Sequence, residues 1–119
     1  MQKFNFSYDK EYDDLFLYSQ ASKSKGSVEL GSLILDYNRK KELVGIQIMD
    51  ASAFLHELIN EKKEVIRDLL KNLIACKAEI KTKNNLLIIK MSLFSKTREL
   101  SPVISVPVIS ESSPSLASA

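Results

Sequence analysis

The chain has one cysteine, one histidine, no tryptophan, and only three glycines and three prolines among its 119 residues. Each scarcity removes a class of chemistry or architecture. With Cys76 alone, no disulfide can close within the chain, which fits a reducing compartment. With His56 alone, one chain cannot assemble a multi-histidine zinc centre. The few glycines form no phosphate-cradling loop, and neither a GxSxG nucleophile elbow nor an HExxH zinc motif occurs. The longest apolar run, LLIIKMSLF, is broken by Lys90 and falls far short of the ~20 residues of a membrane helix. The opening MQKFNFSYDK carries early charges and no apolar h-region, so no signal peptide is expected. The expectation is a soluble, cytoplasmic protein with no membrane partner.

What is present is an ordinary globular balance, 45% hydrophobic and 27% charged, enough for one modest core. Net charge is +2, too small to imply a polyanion partner. Residues 1–60 carry seven Lys/Arg against nine Asp/Glu, and residues 61–119 ten against six. That asymmetry points to a basic face in the second half. Fourteen of the seventeen cations are Lys, which are solvated point charges, not the bidentate forks suited to phosphate.

Periodicity predicts an α+β fold: an antiparallel β meander, a helical hairpin or bent helix, then a three-stranded antiparallel unit. One domain over residues 1–110 would comprise a β core at 4–52, a helical segment at 53–73 and a β unit at 74–109, followed by a disordered tail at 111–119. Phe4, Phe6 and Tyr8 alternate with polar residues, and Leu15 resumes an extended run. In SVELGSLILDY the apolar parity changes at Gly31-Ser32, which a β-bulge would reconcile. Val44, Ile46 and Ile48 form the inner face of a fourth strand.

From Asp50 the period becomes helical, with Asp50 or Ser52 as N-cap and Asn60 as the cap of a second helix or the site of a bend. Ile74, Cys76, Ala78 and Ile80 restore the period of two. Asn84-Asn85 suits a tight hairpin turn, and Leu87, Ile89, Met91 and Leu93 return. A last strand carries Ile104, Val106 and Val108. Pro102 and Pro107 remove two of its amide donors and assign it to a sheet edge.

The densest cluster of chemically capable side chains is YDKEYDD, residues 8–14. As a calcium loop starting at Asp9 it fails, with Asp14 where the sharp turn wants glycine and Gln20 where a bidentate Glu belongs. Asp9, Asp13 and Asp36 remain the candidates for a looser metal site or a carboxylate pair, with Asp50 nearby. The opposing reading is a turn in which Asp side chains bond to the backbone ahead. His56 lies at the border of a helix's apolar face, as a partly buried structural histidine. Cys76 has core parity and reads as a packing residue rather than a nucleophile. Lys77, Lys81, Lys83 and Lys90 share a polar face and are the nucleic-acid candidates. Glu79 interrupts them and only Phe94 offers a ring, whereas RNA-binding sheets need exposed aromatics.

Three ordered segments, YDKEYDDLFLY, SLILDYN and ELVGIQIMDAS, resemble the family catalogued as domain of unknown function 2283. Its members read approximately YDxxxDxLYI, vILDYD and GrivGIEIL. Tyr8, Asp9, Asp13 and Leu15 match the first block, Leu35, Asp36 and Tyr37 the second, and Val44, Gly45 and Ile46 the third. Asn38 replaces the usual Asp, Lys41 a common turn glycine, and Gln47 the glutamate of GIE. The extension beyond residue 52 is similar to the longer, archaeal-type members. The resemblance implies no established reaction, and some short members look like partners in toxin–antitoxin-type gene pairs. The expected function is a non-enzymatic interaction module, as a homo-oligomer or with an unidentified protein partner. The alternatives are a metal-dependent protein using the Asp cluster and a nucleic-acid binder using the C-terminal lysines. No cofactor is implied.

Overall fold

The computed structural model describes residues 1–19 and 23–107. The alternation FNFSYD extends β1 (Gln2–Asp9), and a polar turn reverses the chain into β2 (Asp14–Tyr18). Then come β3 (Gly26–Leu30), β4 (Leu33–Tyr37) and β5 (Leu43–Ile48), the helices α1 (Ala51–Leu58) and α2 (Lys63–Lys71), and β6 (Ala75–Lys83), β7 (Leu86–Phe94), β8 (Glu99–Leu100) and β9 (Val103–Pro107). The architecture is α+β, and the sheet is antiparallel throughout its described pairs. Its order is β3-β4-β5-β2-β1-β6-β7-β8, with β9 also on β7.

β1 is the seam. Residues 5–9 pair with β2, while residues 2–4 pair with β6. The N-terminal meander and the C-terminal strands are therefore one hydrogen-bonded sheet rather than two stacked units. The sheet curls so that β3 and β9, on opposite edges, line a common cleft. On the inner face Leu15, Leu17, Leu33, Leu35, Ile46 and Ile48 meet Leu55 of α1 and Ile66, Leu69 and Leu70 of α2. The spacing of Ile66, Leu69 and Leu70 gives α2 one apolar stripe facing that core. Each such side chain contributes about 1.5–3 kcal/mol by leaving water.

Several expectations need correction. The parity change at Gly31-Ser32 marks a hairpin, not a bulge. Gly31 takes a positive φ of 63° in a two-residue turn, so Val28 opposes Leu35 and Leu30 opposes Leu33 on one face. There are thus five strands before the helices, and short β8 raises the later count to four. The helical segment is two helices, and neither Asp50 nor Lys62, the residues preceding them, makes a side-chain cap. Ile74 lies outside β6 and is 56% exposed, so it does not share the buried side with Cys76 and Ala78, although its amide bonds to the Phe94 carbonyl.

Other readings agree with the structure. Asn84 and Asn85 both take positive φ between β6 and β7. Among the described residues β9 pairs with β7 alone, the edge position expected of a strand that ends at Pro107. Val108 and the tail at 111–119 lie outside the described residues. Among the described residues no helix is long and apolar enough to cross a membrane.

Cys76 is fully buried in this core, and burial pushes its thiol up to about 12. It therefore carries negligible thiolate at neutral pH. Native protein treated with a thiol reagent at pH 8 should show no modification at Cys76, with complete reaction after unfolding in urea. Rapid labelling of the native protein would contradict this packing.

Candidate functional site

The acidic turn resolves into residues with different tasks. Asp9 Oδ1 accepts the amides of Glu11 (2.9 Å) and Tyr12 (3.1 Å), closing the turn locally as its residue type favours. Asp13 does something less local. It is 3% exposed and takes a positive φ of 59°, which turns its side chain beneath the sheet toward α1. Its carboxylate accepts the Tyr8 hydroxyl (2.5 Å) on Oδ1, and the Ser52 amide (3.0 Å) and Ser52 hydroxyl (2.5 Å) on Oδ2. Its backbone carbonyl also accepts the Ala51 amide at 2.7 Å.

The first amides of α1 have no intrahelical acceptor, and Asp50 supplies no side-chain cap. Asp13, from a distant turn, satisfies two of them and sets its negative charge at the positive end of the helix. Arg67 of α2 adds a longer contact to Asp13 Oδ2 (3.8 Å) and one to Ser52 Oγ (3.3 Å). Because Arg67 is half exposed, that ion pair contributes little alone, but it ties α2 to the same point.

Asp36 sits elsewhere, on the face of the sheet opposite Leu33 and Leu35. It is buried and accepts the Ser27 hydroxyl on Oδ1 (2.5 Å) and Gln47 Nε2 on Oδ2 (3.4 Å). A Cβ on Gly45 would lie 2.7 Å from Asp36 Oδ2, so glycine there makes room for the carboxylate. Asp9, Asp13 and Asp36 therefore do not converge. Among the described residues no group of three or more His, Cys, Asp or Glu side chains is placed to hold a metal ion. His56 is exposed rather than half-buried, and its Nδ1 donates to the Glu61 carbonyl at 2.6 Å.

The lysine face is equally divided. Lys77, Lys81, Lys83 and Lys90 are all exposed. Glu79 lies among them, opposite Lys90 in register and 3.7 Å from Lys81. Lys77 lies 5.9 Å from the centre of the Phe94 ring.

A stronger concentration of positive charge occurs at residues 23–41, in the half read as acidic. The charges of this half segregate by strand end. Asp9, Glu11, Asp13, Asp14 and Asp50 gather where β1 turns into β2 and β5 reaches α1. Lys25 and the Asn38–Lys41 turn lie at the other end, where β3 begins and β4 passes into β5. There Lys25, Arg39 and Lys41 line the cleft, about 740 Å³, whose walls are β3 and the Thr82, Leu87, Val106 and Pro107 side. A shallower depression beside it adds Lys23, Lys40 and Glu42. No periodicity reveals this cleft, since hairpin folding brings its parts together.

Residues 5–52 match the family described as Protein of unknown function (DUF2283). An uncharacterised protein of Methanocaldococcus jannaschii is 34% identical over 97 residues, covering 82% of this chain and 78% of its own. The chain belongs to the DUF2283 family. A Methanosarcina mazei protein, provisionally named a hypoxanthine phosphoribosyltransferase, is 29% identical over 93 residues, covering 78% of this chain and 71% of that protein. No solved structure matches the chain.

The DUF2283 pattern now has a physical content in this chain. Tyr8, Asp9 and Asp13 make the turn and the helix clasp, while Asp36 and Gly45 make the second carboxylate seat. The departures are accommodated. Asn38 Oδ1 accepts the amides of Lys40 (2.9 Å) and Glu42 (3.0 Å) as an Asp would. Lys41 takes the positive φ, 62°, that suits the usual glycine. Gln47 offers Asp36 a donor where a glutamate would offer a second charge.

Asp13→Ala should lower the unfolding free energy by about 3 kcal/mol, because it strands the Tyr8 hydroxyl and the Ser52 amide. Tyr8→Phe should cost about 1.5 kcal/mol. Burial, then the bond to Asp13, raises the Tyr8 phenol well above its ordinary value of 10.0. The fold favours the neutral phenol, so this contribution is whole below pH 10 and is lost progressively above it. Urea melts from pH 8 to 11 should show a steeper alkaline loss for wild type than for Tyr8→Phe, and parallel curves would contradict the assignment.

Proposed function

We propose that this DUF2283 protein is a non-enzymatic interaction module that self-associates or binds a partner protein through an exposed sheet edge. The observation that carries the reading is β3. Among the described residues it pairs with β4 alone, is exposed over Gly26–Glu29, and contains no proline. Edges of this kind are normally blunted. An unpaired row of backbone donors and acceptors beside an apolar cleft suits strand addition.

The chemistry of the interior supports the same reading. Asp13 and Asp36 are held in structural hydrogen bonds, and the Cys76 thiol is sealed in the core. The phosphoribosyltransferase activity named for the Methanosarcina mazei relative is not carried over. This chain has no glycine-rich phosphate loop, and an antiparallel sheet lacks the switch-point crevice of parallel nucleotide-binding folds.

Light scattering coupled to size exclusion, with pull-down by the tagged protein, tests the proposal. Wild type should run larger than a monomer or retain a stoichiometric partner. Val28→Lys, an exposed change that charges the edge, should abolish this while shifting stability by no more than about 0.5 kcal/mol. A wild type that is monomeric and partnerless at all concentrations overturns it, as does a Val28→Lys variant that associates normally.

A further inference from the structure

The cleft beside β3 has three properties that together narrow what fits it. One wall is the edge of β3, which among the described residues is free on the side away from β4, so that backbone N–H and C=O groups face outward there. Buried polar backbone must be paired, so an occupant that covers this edge has to supply its own donors and acceptors in a matching row. Another extended chain does so, and a small apolar molecule does not.

The floor and far wall are apolar. Leu35 lies beneath, Val28 projects from the edge strand, and Leu87, Val106 and Pro107 stand opposite. Pro107 has no amide hydrogen, so the far wall offers contact area where β3 offers a ladder. The volume, about 740 Å³, falls within the range of about 300–1,000 Å³ typical of binding clefts.

The rim is positive. Lys23, Lys25, Arg39 and Lys40 surround the mouth of the cleft and its neighbouring depression. Among the described residues none of these four is in an ion pair. Among the described residues Glu42 is the one carboxylate in either lining, and it already accepts Asn38 Nδ2 at 2.9 Å. A cluster of unpaired cations in one half of a sheet raises the local potential and favours an oppositely charged partner.

We propose that the cleft between β3 and β9 receives an extended acidic peptide segment of a partner protein. The segment adds as a strand to the edge of β3. Its inward side chains, every second residue, rest on Val28, Leu87 and Val106, and its carboxylates meet Lys23, Lys25, Arg39 and Lys40. This rests on the interaction-module reading and names the partner's chemistry.

Fluorescence anisotropy with a labelled ten-residue peptide alternating Glu and Val tests it on the full chain. The peptide should bind saturably at low salt, with a Kd below about 100 µM. The corresponding Lys/Val peptide should bind at least about tenfold more weakly. A Glu/Val peptide N-methylated at alternate residues should lose a similar factor, because one edge of its ladder is removed. Lys25→Glu, Arg39→Glu and Val28→Lys should each weaken binding about tenfold. All three positions are exposed, so the variants should fold.

No binding of the Glu/Val peptide up to millimolar concentration overturns the proposal. So does equal binding of the N-methylated peptide, which would reveal plain charge attraction, or preferential capture of a single-stranded RNA. If the peptide fails while Val28→Lys still abolishes association, a second copy or a partner of other chemistry occupies β3. The acidic-strand inference then falls and the interaction module stands.

Discussion

The contact on which the rest depends is the Asp13 carboxylate at the start of α1. A helix of eight residues has too few internal hydrogen bonds to stand alone in water, and α1 lacks a side-chain cap from its own N-cap residue. Asp13 supplies that cap from the β1–β2 turn, and its carbonyl takes the preceding amide. The helix is thereby fixed against the end of the sheet. Leu55 then projects into the core, and α2 follows through Arg67 and its own apolar stripe. Without the clasp, the inner faces of Leu15, Leu33 and Ile48 would face a helix free to fray.

This arrangement also explains why a motif rich in carboxylates is not a converging ligand set. Asp9 is directed along its own turn, Asp13 under the sheet, and Asp36 onto the opposite face between Ser27 and Gln47. Each accepts hydrogen bonds from donors in its own neighbourhood. Concentrating acids at the α1 end of the strands leaves the other end of the same hairpins positive. The end that holds the fold together and the end that offers free edge and cations are thus separate. A partner at the β3 cleft, as proposed, would leave the clasp undisturbed.

Much of the fold was legible because its cues are local. The period-two runs at Phe4–Tyr8 and Leu87–Leu93, the helical spacing at Ile66–Leu70, and the Asn84-Asn85 turn all report neighbours in sequence. Gly31-Ser32 misled because a parity change alone cannot separate a bulge from a two-residue reversal; both put Val28 and Leu35 on one side. The clasp was not legible. Ser52 looked like a cap, whereas its amide is the group being capped, from a turn that only tertiary folding brings near. The cleft was hidden likewise. Charge totals by sequence half gave −2 for residues 1–60, because the acids of one strand end mask the cations of the other.

Amide hydrogen exchange at Ser52 tests the clasp most directly. The account predicts that in wild type the Ser52 amide is protected nearly as well as core amides of β2 and β5, unlike an ordinary second residue of a helix. In Asp13→Ala its protection should collapse to that of a fraying terminus while β2 and β5 stay slow relative to their new global stability. Equal Ser52 protection in both proteins, relative to those strands, would contradict the account.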